Sequence, residues 1–174
     1  WDEGKYRLEY SGNNNVLSIN EDFVAVDGIQ LKHITSGSNS SGIKATSLNA
    51  LSQIRISNNL INGFISGSAA GNSGMALADT DANFYVWNNV VHGYLNGNNN
   101  LSGIYISCNE SYSYNNTVYG NYEGIERGNG NVYLKNNLSY NNTDNYNGSF
   151  HASSTNSLSG PTQTDAPGSK DRKS

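Results

Sequence analysis

Few residues in this chain have a type and spacing that could do chemistry. Asp79 and Asp81 stand one residue apart, a spacing that can help chelate a divalent cation. Two carboxylates in a turn more often serve the turn itself. Calcium is the one cofactor such a pair would bring, and otherwise none is expected. Glu123, Glu126 and Arg127 cluster after a turn and read most simply as a surface ion pair. His33, His92 and His151 share no register, so each reads as a solvated turn residue before a general base. Cys108 follows Ile106 in a strand-like phrase with no histidine nearby. It reads as a buried or half-buried thiol before a nucleophile. Asn-x-Ser/Thr occurs at Asn39, Asn100, Asn109, Asn115, Asn137, Asn141 and Asn147.

Composition narrows the setting. The 174 residues include 30 Asn, 24 Ser and 19 Gly but only 2 Pro, and 14% are charged. Low charge and low proline exclude most disordered classes, and 12 Tyr point to a folded, loop-rich β protein. The net charge of −4 comes from scattered acids without a basic patch, so no nucleic-acid partner is expected. No run approaches 18 apolar residues, so no membrane span is expected. The chain opens on Trp1 close to the strand-like KYRLEY, which reads as a piece of something longer.

The asparagines are ordered. QIRISNNLING (53–63), NFYVWNNVVHG (83–93), SYSYNNTVYG (111–120) and NVYLKNNLSYN (131–141) share one frame. The first Asn of each pair falls at Asn58, Asn88, Asn115 and Asn136, in steps of 30, 27 and 21. FVAVDGIQL (23–31) reads as an earlier copy with Asp27-Gly28 in place of the pair. A second phrase alternates with the first: SGIKA (41–45), SGMAL (73–77), SGIYIS (102–107) and EGIE (123–126). Two phrases that keep the same order and similar steps make an internal repeat. Since Asn115 and Asn137 belong to the pairs, their glycosylation-type matches follow from the abundance of Asn and Ser.

Each phrase alternates with period two, as strands do. Counting back from the first Asn, Ile54 and Ile56, Phe84 and Val86, Ser111 and Ser113, and Val132 and Leu134 point inward. Ile43 and Ala45, Met75 and Leu77, and Ile104 and Ile106 do the same in the second phrase. SGSNSSG, GSAAGNSG and GNNN carry loop chemistry, and no stretch has a helical apolar period. Two short strands in a repeat of variable length suit a solenoid better than a propeller blade of about 40 residues. The predicted fold is all-β, a single-stranded parallel β-helix of about five coils over residues 1–158. Residues 159–174 read as a polar exit segment or linker. Stacked rungs about 4.8 Å apart let like amides hydrogen-bond along the axis. Asp27, Asn58, Asn88, Asn115 and Asn136 are therefore assigned to a structural ladder, with the first Asn inward and the second in a left-handed conformation.

The phrases VAVDGIQLKHI, SGIYIS and IRISNNLI resemble the right-handed parallel β-helix repeat proteins of the pectate-lyase-like superfamily, over roughly residues 16–150. The resemblance implies the right-handed coil and an extracellular or cell-surface setting. It says little about activity, because that superfamily includes lyases, glycosidases, tailspikes, adhesins and non-catalytic repeats. Polygalacturonase-like members carry clustered aspartates with His-Gly and Arg-x-Lys phrases, and Asp79-Thr-Asp81 has no such partners. Lyase members abstract a proton with Arg or Lys, a role for which Lys32, Arg55, Arg127 and Lys135 are considered, without a recognisable lyase phrase around them.

The outward neighbours of the pairs carry the candidate binding surface. Arg55, Tyr85, Trp87, Tyr112, Tyr114, Tyr133 and Lys135 fall on one outer face, five aromatics between two cations. Tyr105 and Glu126 lie on the next strand face. Aromatic faces suit the apolar side of a sugar ring, and they equally suit rung stabilisation or a protein interface. Three functions stay open. One is a non-catalytic extracellular, adhesin-like module with a polysaccharide partner on this face. The second is a polysaccharide lyase or glycoside hydrolase. The third is a structural repeat that self-associates laterally or end to end through open rungs near Trp1–Tyr10 and Phe150.

Overall fold

The computed structural model describes residues 7–46, 48–50, 52–67, 70–95, 100–161 and 165–167. Expectations for residues 1–6, for loop positions 68–69 and 96–99, and for the tail at 168–174 lie outside them. The described residues form no helix. In chain order the strands are β1 (Leu8–Ser11), β2 (Leu17–Ile19), β3 (Ala25–Asp27), β4 (Gln30–Thr35), β5 (Ser41–Ala45), β6 (Gln53–Ser57), β7 (Leu60–Ile65), β8 (Asn72–Trp87), β9 (Val90–His92), β10 (Leu101–Tyr114), β11 (Thr117–Tyr119), β12 (Glu123–Lys135), β13 (Leu138–Tyr140), β14 (Asp144–Asn147) and β15 (Leu158–Gly160).

The strands make two sheets. One runs β1-β4-β7-β9-β11-β13-β15. The other runs β14-β12-β10-β8-β5-β2, with β3 and β6 joined through β8. All pairings among these strands are parallel, and each strand lies beside its equivalent one repeat away, an arrangement consistent with a β-solenoid. The register follows the repeat. Ile54 pairs with Phe84, Phe84 with Ser111, and Ser111 with Val132. All the inward positions named for the two phrases are buried, Ser111 and Ser113 included. The buried Ser111 hydroxyl has no hydrogen-bond partner.

The glycine of the second phrase has a steric reason. Gly42, Gly74, Gly103 and Gly124 stand in one column against the opposite sheet. A Cβ at Gly74 would collide with Val91, one at Gly103 with Val118, and one at Gly124 with the Ser139 hydroxyl. Tyr94, fully buried, lies against Gly42, Gly63 and Gly74. Its hydroxyl meets Nδ1 of His33 at 3.3 Å. His33 is therefore a core residue of β4, not a solvated turn residue, and its Nε2 has no partner.

The asparagine corner differs from expectation in one respect: the two members of each pair exchange roles. Asn58, Asn88, Asn115 and Asn136 hold φ of 54 to 57° and are exposed. Asn59, Asn89, Asn116 and Asn137 are buried. The left-handed residue makes the turn and throws its side chain outward, so the next residue re-enters the strand facing in. The buried amides form the continuous ladder. Nδ2 of Asn59 donates to Oδ1 of Asn89 at 2.9 Å, Asn89 to Asn116 at 3.0 Å, and Asn116 to Asn137 at 3.0 Å. Asn89 uses its whole capacity: Oδ1 also accepts from the Asn59 backbone at 3.0 Å, and Nδ2 also donates to the Ile56 carbonyl at 2.9 Å. The outer amides bond to one another as well, with Asn88 donating to Asn58 at 3.2 Å and Asn136 to Asn115 at 3.2 Å.

Asp27 is offset by one position. Its register partner is Ser57, and Gly28, with φ of 70°, occupies the left-handed place. Asp27 still joins the outer row by accepting from Asn58 at 2.7 Å. The corner also has a copy that the repeat reading did not include, Asn156-Ser157, where Asn156 has φ of 56° and Ser157 is buried. A second buried ladder fills another corner. Behind the left-handed residues Gly93, Gly120 and Asn141, the Tyr94 backbone donates to Asn121 at 3.0 Å and the Asn121 amide to Asn142 at 3.0 Å, while Asn142 bonds within its own turn to Asn145.

These contacts set two expectations. Asn89→Ala strips partners from Asn59, Asn116 and the Ile56 carbonyl, and should cost at least about 3 kcal/mol in urea unfolding, while Asn88→Gly should stay within about 1 kcal/mol. His33 responds to acid. Burial lowers its pKa from 6.5 to about 4, so the unfolded chain binds the proton more readily between those values. Wild type should lose up to about 3 kcal/mol relative to His33→Gln as pH falls through that window, followed by unfolding midpoints across pH.

Candidate functional site

Two outward surfaces collect the polar and aromatic groups. The first is the predicted aromatic face. Its seven residues, together with Ser57, fall in two adjacent columns on β6, β8, β10 and β12. Arg55, Tyr85, Tyr112 and Tyr133 make one, and Ser57, Trp87, Tyr114 and Lys135 the other. Parallel pairing places identical outward positions directly above one another, so the tyrosines stack on themselves. Tyr85 and Tyr112 have ring centroids 5.5 Å apart at 12°, and Tyr112 and Tyr133 are 5.0 Å apart at 8°. His151 caps the column 4.1 Å from Tyr133, and Tyr114 meets Tyr112 edge-on at 6.1 Å. Both flat faces of Tyr112 are therefore covered by rings. This column offers ring edges and phenol oxygens, and a hydrogen bond with Glu110 pushes the Tyr112 phenol up to about 12.

The second surface is a groove on the neighbouring part of the same sheet, about 300 Å³ in volume. Sequence reading did not assemble it, although it placed Tyr105 and Glu126 on this strand face. Two register columns build it. Ser41, Ser73, Ser102 and Glu123 precede the packed glycines, and Lys44, Ala76, Tyr105 and Glu126 follow two residues after them. Asn39, Gly71 and Asn100, all with positive φ, form its lip. The recurring Ser-Gly step carried the signal. Ser41, Ser73 and Ser102 before the glycines and Lys44, Ala76 and Tyr105 two residues after them line the groove, while Ile43, Met75 and Ile104 between them pack inward, and the small lining side chains leave a trough. Lys44 belongs to this groove and was not among the bases considered from sequence.

Glu123 and Glu126 are not a surface ion pair with Arg127. Glu123 is only 7% exposed and accepts from Asn147 at 2.7 Å. The Ser102 hydroxyl donates to Glu126 and lies 3.3 Å from Glu123. Arg127 turns its Nε to the Gly130 carbonyl at 2.9 Å. Burial first, and a hydrogen bond with Glu123 second, push the Glu126 carboxyl up to about 7.

The remaining chemical candidates serve the fold. Asp79 accepts from the Leu48 backbone at 2.7 Å and from the Asp81 backbone at 3.1 Å. Each of its oxygens thus accepts a backbone N–H, and among the described residues no group of three His, Cys, Asp or Glu side chains could hold a metal ion. His92 stacks on Tyr119 at 4.8 Å on the outside of the other sheet. Cys108 is buried, and burial pushes its thiol up to about 12, far from a nucleophile's range. No protein-family model, no curated protein and no solved structure matches this chain.

Proposed function

We propose that this chain is a right-handed, single-stranded parallel β-helix module of the pectate-lyase-like kind. In this reading it works outside the cell or at its surface and binds a polysaccharide without cleaving it. The groove over Ser41, Ser73 and Ser102 carries the reading. It sets the exposed amides of Asn39 and Asn100 beside one cation, Lys44, and one aromatic side chain, Tyr105, over a floor of buried serines, a mixture that meets the hydroxyl rim of a sugar. The aromatic strip supplies edge and hydroxyl contacts next to it, a different mode from ring-on-ring stacking.

Binding without cleavage is favoured by the carboxyl geometry. Glycoside hydrolysis needs two carboxyl groups free to flank the scissile bond, whereas Glu123 is 7% exposed and accepts from Asn147, and one Ser102 hydroxyl lies against both Glu123 and Glu126. One observation favours the enzymatic alternative: a carboxyl near 7 is suited to general acid catalysis. Self-association is favoured by the outside of the other sheet, where Leu60, Val90, Leu138, Leu158 and the 62% exposed Phe64 lie.

Affinity electrophoresis in gels cast with single polysaccharides tests the proposal. At least one polysaccharide should retard the protein, and Lys44→Ala with Tyr105→Ala should weaken retention about tenfold, with Trp87→Ala and Tyr112→Ala reporting on the aromatic strip. Retention by none sinks the binding reading. Release of reducing ends or unsaturated products would establish the enzyme instead.

A further inference from the structure

The groove differs in charge from end to end. Lys44 on β5 and Glu126 on β12 occupy the same register column, three rungs apart. At about 4.8 Å per rung they stand roughly 14 Å apart, too far to neutralise one another. The β12 end is rigidly acidic. Ser102 and Asn147 hold the two glutamates, and Arg127 faces a carbonyl. Asp144 on β14 is the register partner of Glu123, and burial, with Asp165 nearby, raises the pKa of its carboxyl. Tyr105 on β10 is the register partner of Glu126.

We infer that Glu126, fixed beside Glu123 through the Ser102 hydroxyl, is the specificity-determining residue of the groove: it admits uncharged sugar units and rejects uronates. The inference rests on the polysaccharide reading above and names the class of chain that fits it. A sugar hydroxyl both donates and accepts, so it can satisfy Glu126 in either protonation state. A uronate carboxylate accepts only. Once Glu126 is ionised, the uronate meets a like charge in a partly desolvated site whose one groove cation, Lys44, stands three rungs away. The rejection strengthens as pH rises through about 7, where burial and Glu123 place the Glu126 carboxyl. Lys44, Tyr105, Glu123, Arg127, Asp144 and Asp165 are the titratable and charged groups around it.

Isothermal titration of the full chain compares neutral hexasaccharides, cellohexaose and mannohexaose, with hexagalacturonate at about pH 5.5 and about pH 8.5. A neutral hexasaccharide should bind at least about tenfold more tightly than hexagalacturonate at the higher pH, and the gap should narrow at the lower. Glu126→Gln should reduce the high-pH gap by about tenfold. Circular dichroism melting checks that this variant folds; if it does not, the pH dependence of the wild-type ratio decides. Hexagalacturonate binding as tightly as the neutral chains at high pH overturns the inference and leaves the polysaccharide reading standing. So does a ratio unmoved by pH or by a folded Glu126→Gln. Binding of neither series overturns both the inference and the groove reading, while retention of other polysaccharides would still support a binding module.

Discussion

A backbone that turns a corner against a packed interior must find partners for its polar groups there, and the rest of this structure depends on how that is done. Asn59, Asn89, Asn116 and Asn137 each reach along the axis to an equivalent side chain and to a backbone group of a neighbouring rung. An amide suits this position because it donates twice and accepts twice, so a column of them closes on itself. A carboxylate column would repel, and a hydroxyl column would leave backbone groups unpaired. Registry between strands then follows from the side chains as much as from the sheet. The outward columns inherit that registry, including the stacked tyrosines and the rows that line the groove.

Much of this was legible in the residues. Period-two alternation located the inward positions of both phrases, including Ser111 and Ser113, which are buried despite being polar. What the pair Asn-Asn conceals is orientation, because two identical letters carry no sign of which faces in. Gly28 held the clue: glycine tolerates positive φ, and it stands in the place of the first Asn. The second ladder escaped notice because its left-handed column mixes Gly93, Gly120 and Asn141, so no letter recurs. Asn156-Ser157 was missed for a similar reason, with serine in the buried place.

The two surfaces divide along the same line. Sequence spacing put Arg55, Tyr85, Trp87, Tyr112, Tyr114, Tyr133 and Lys135 on one face. It did not show that parallel stacking turns the tyrosine rings toward one another and away from solvent. The groove was harder to find, because it is made by absence: Ala76, Ala78 and Gly71 leave room that bulkier residues would fill. The protonation of Glu126 depends on its depth and on its distance from Glu123, neither of which the phrase EGIE discloses.

Coil length carries a last consequence. The left-handed corner recurs at Gly28, Asn58, Asn88, Asn115, Asn136 and Asn156, so the cross-section is conserved while the connections between strands change. The segment leading into each groove strand is five residues before β5, six before β8 and eight before β10, then three before β12 and three before β14. The amide ladder already has a direction, because each asparagine donates to the one in the next rung. Unequal connections carry that polarity to the surface. A long chain lying along these rungs would therefore have its two ends told apart.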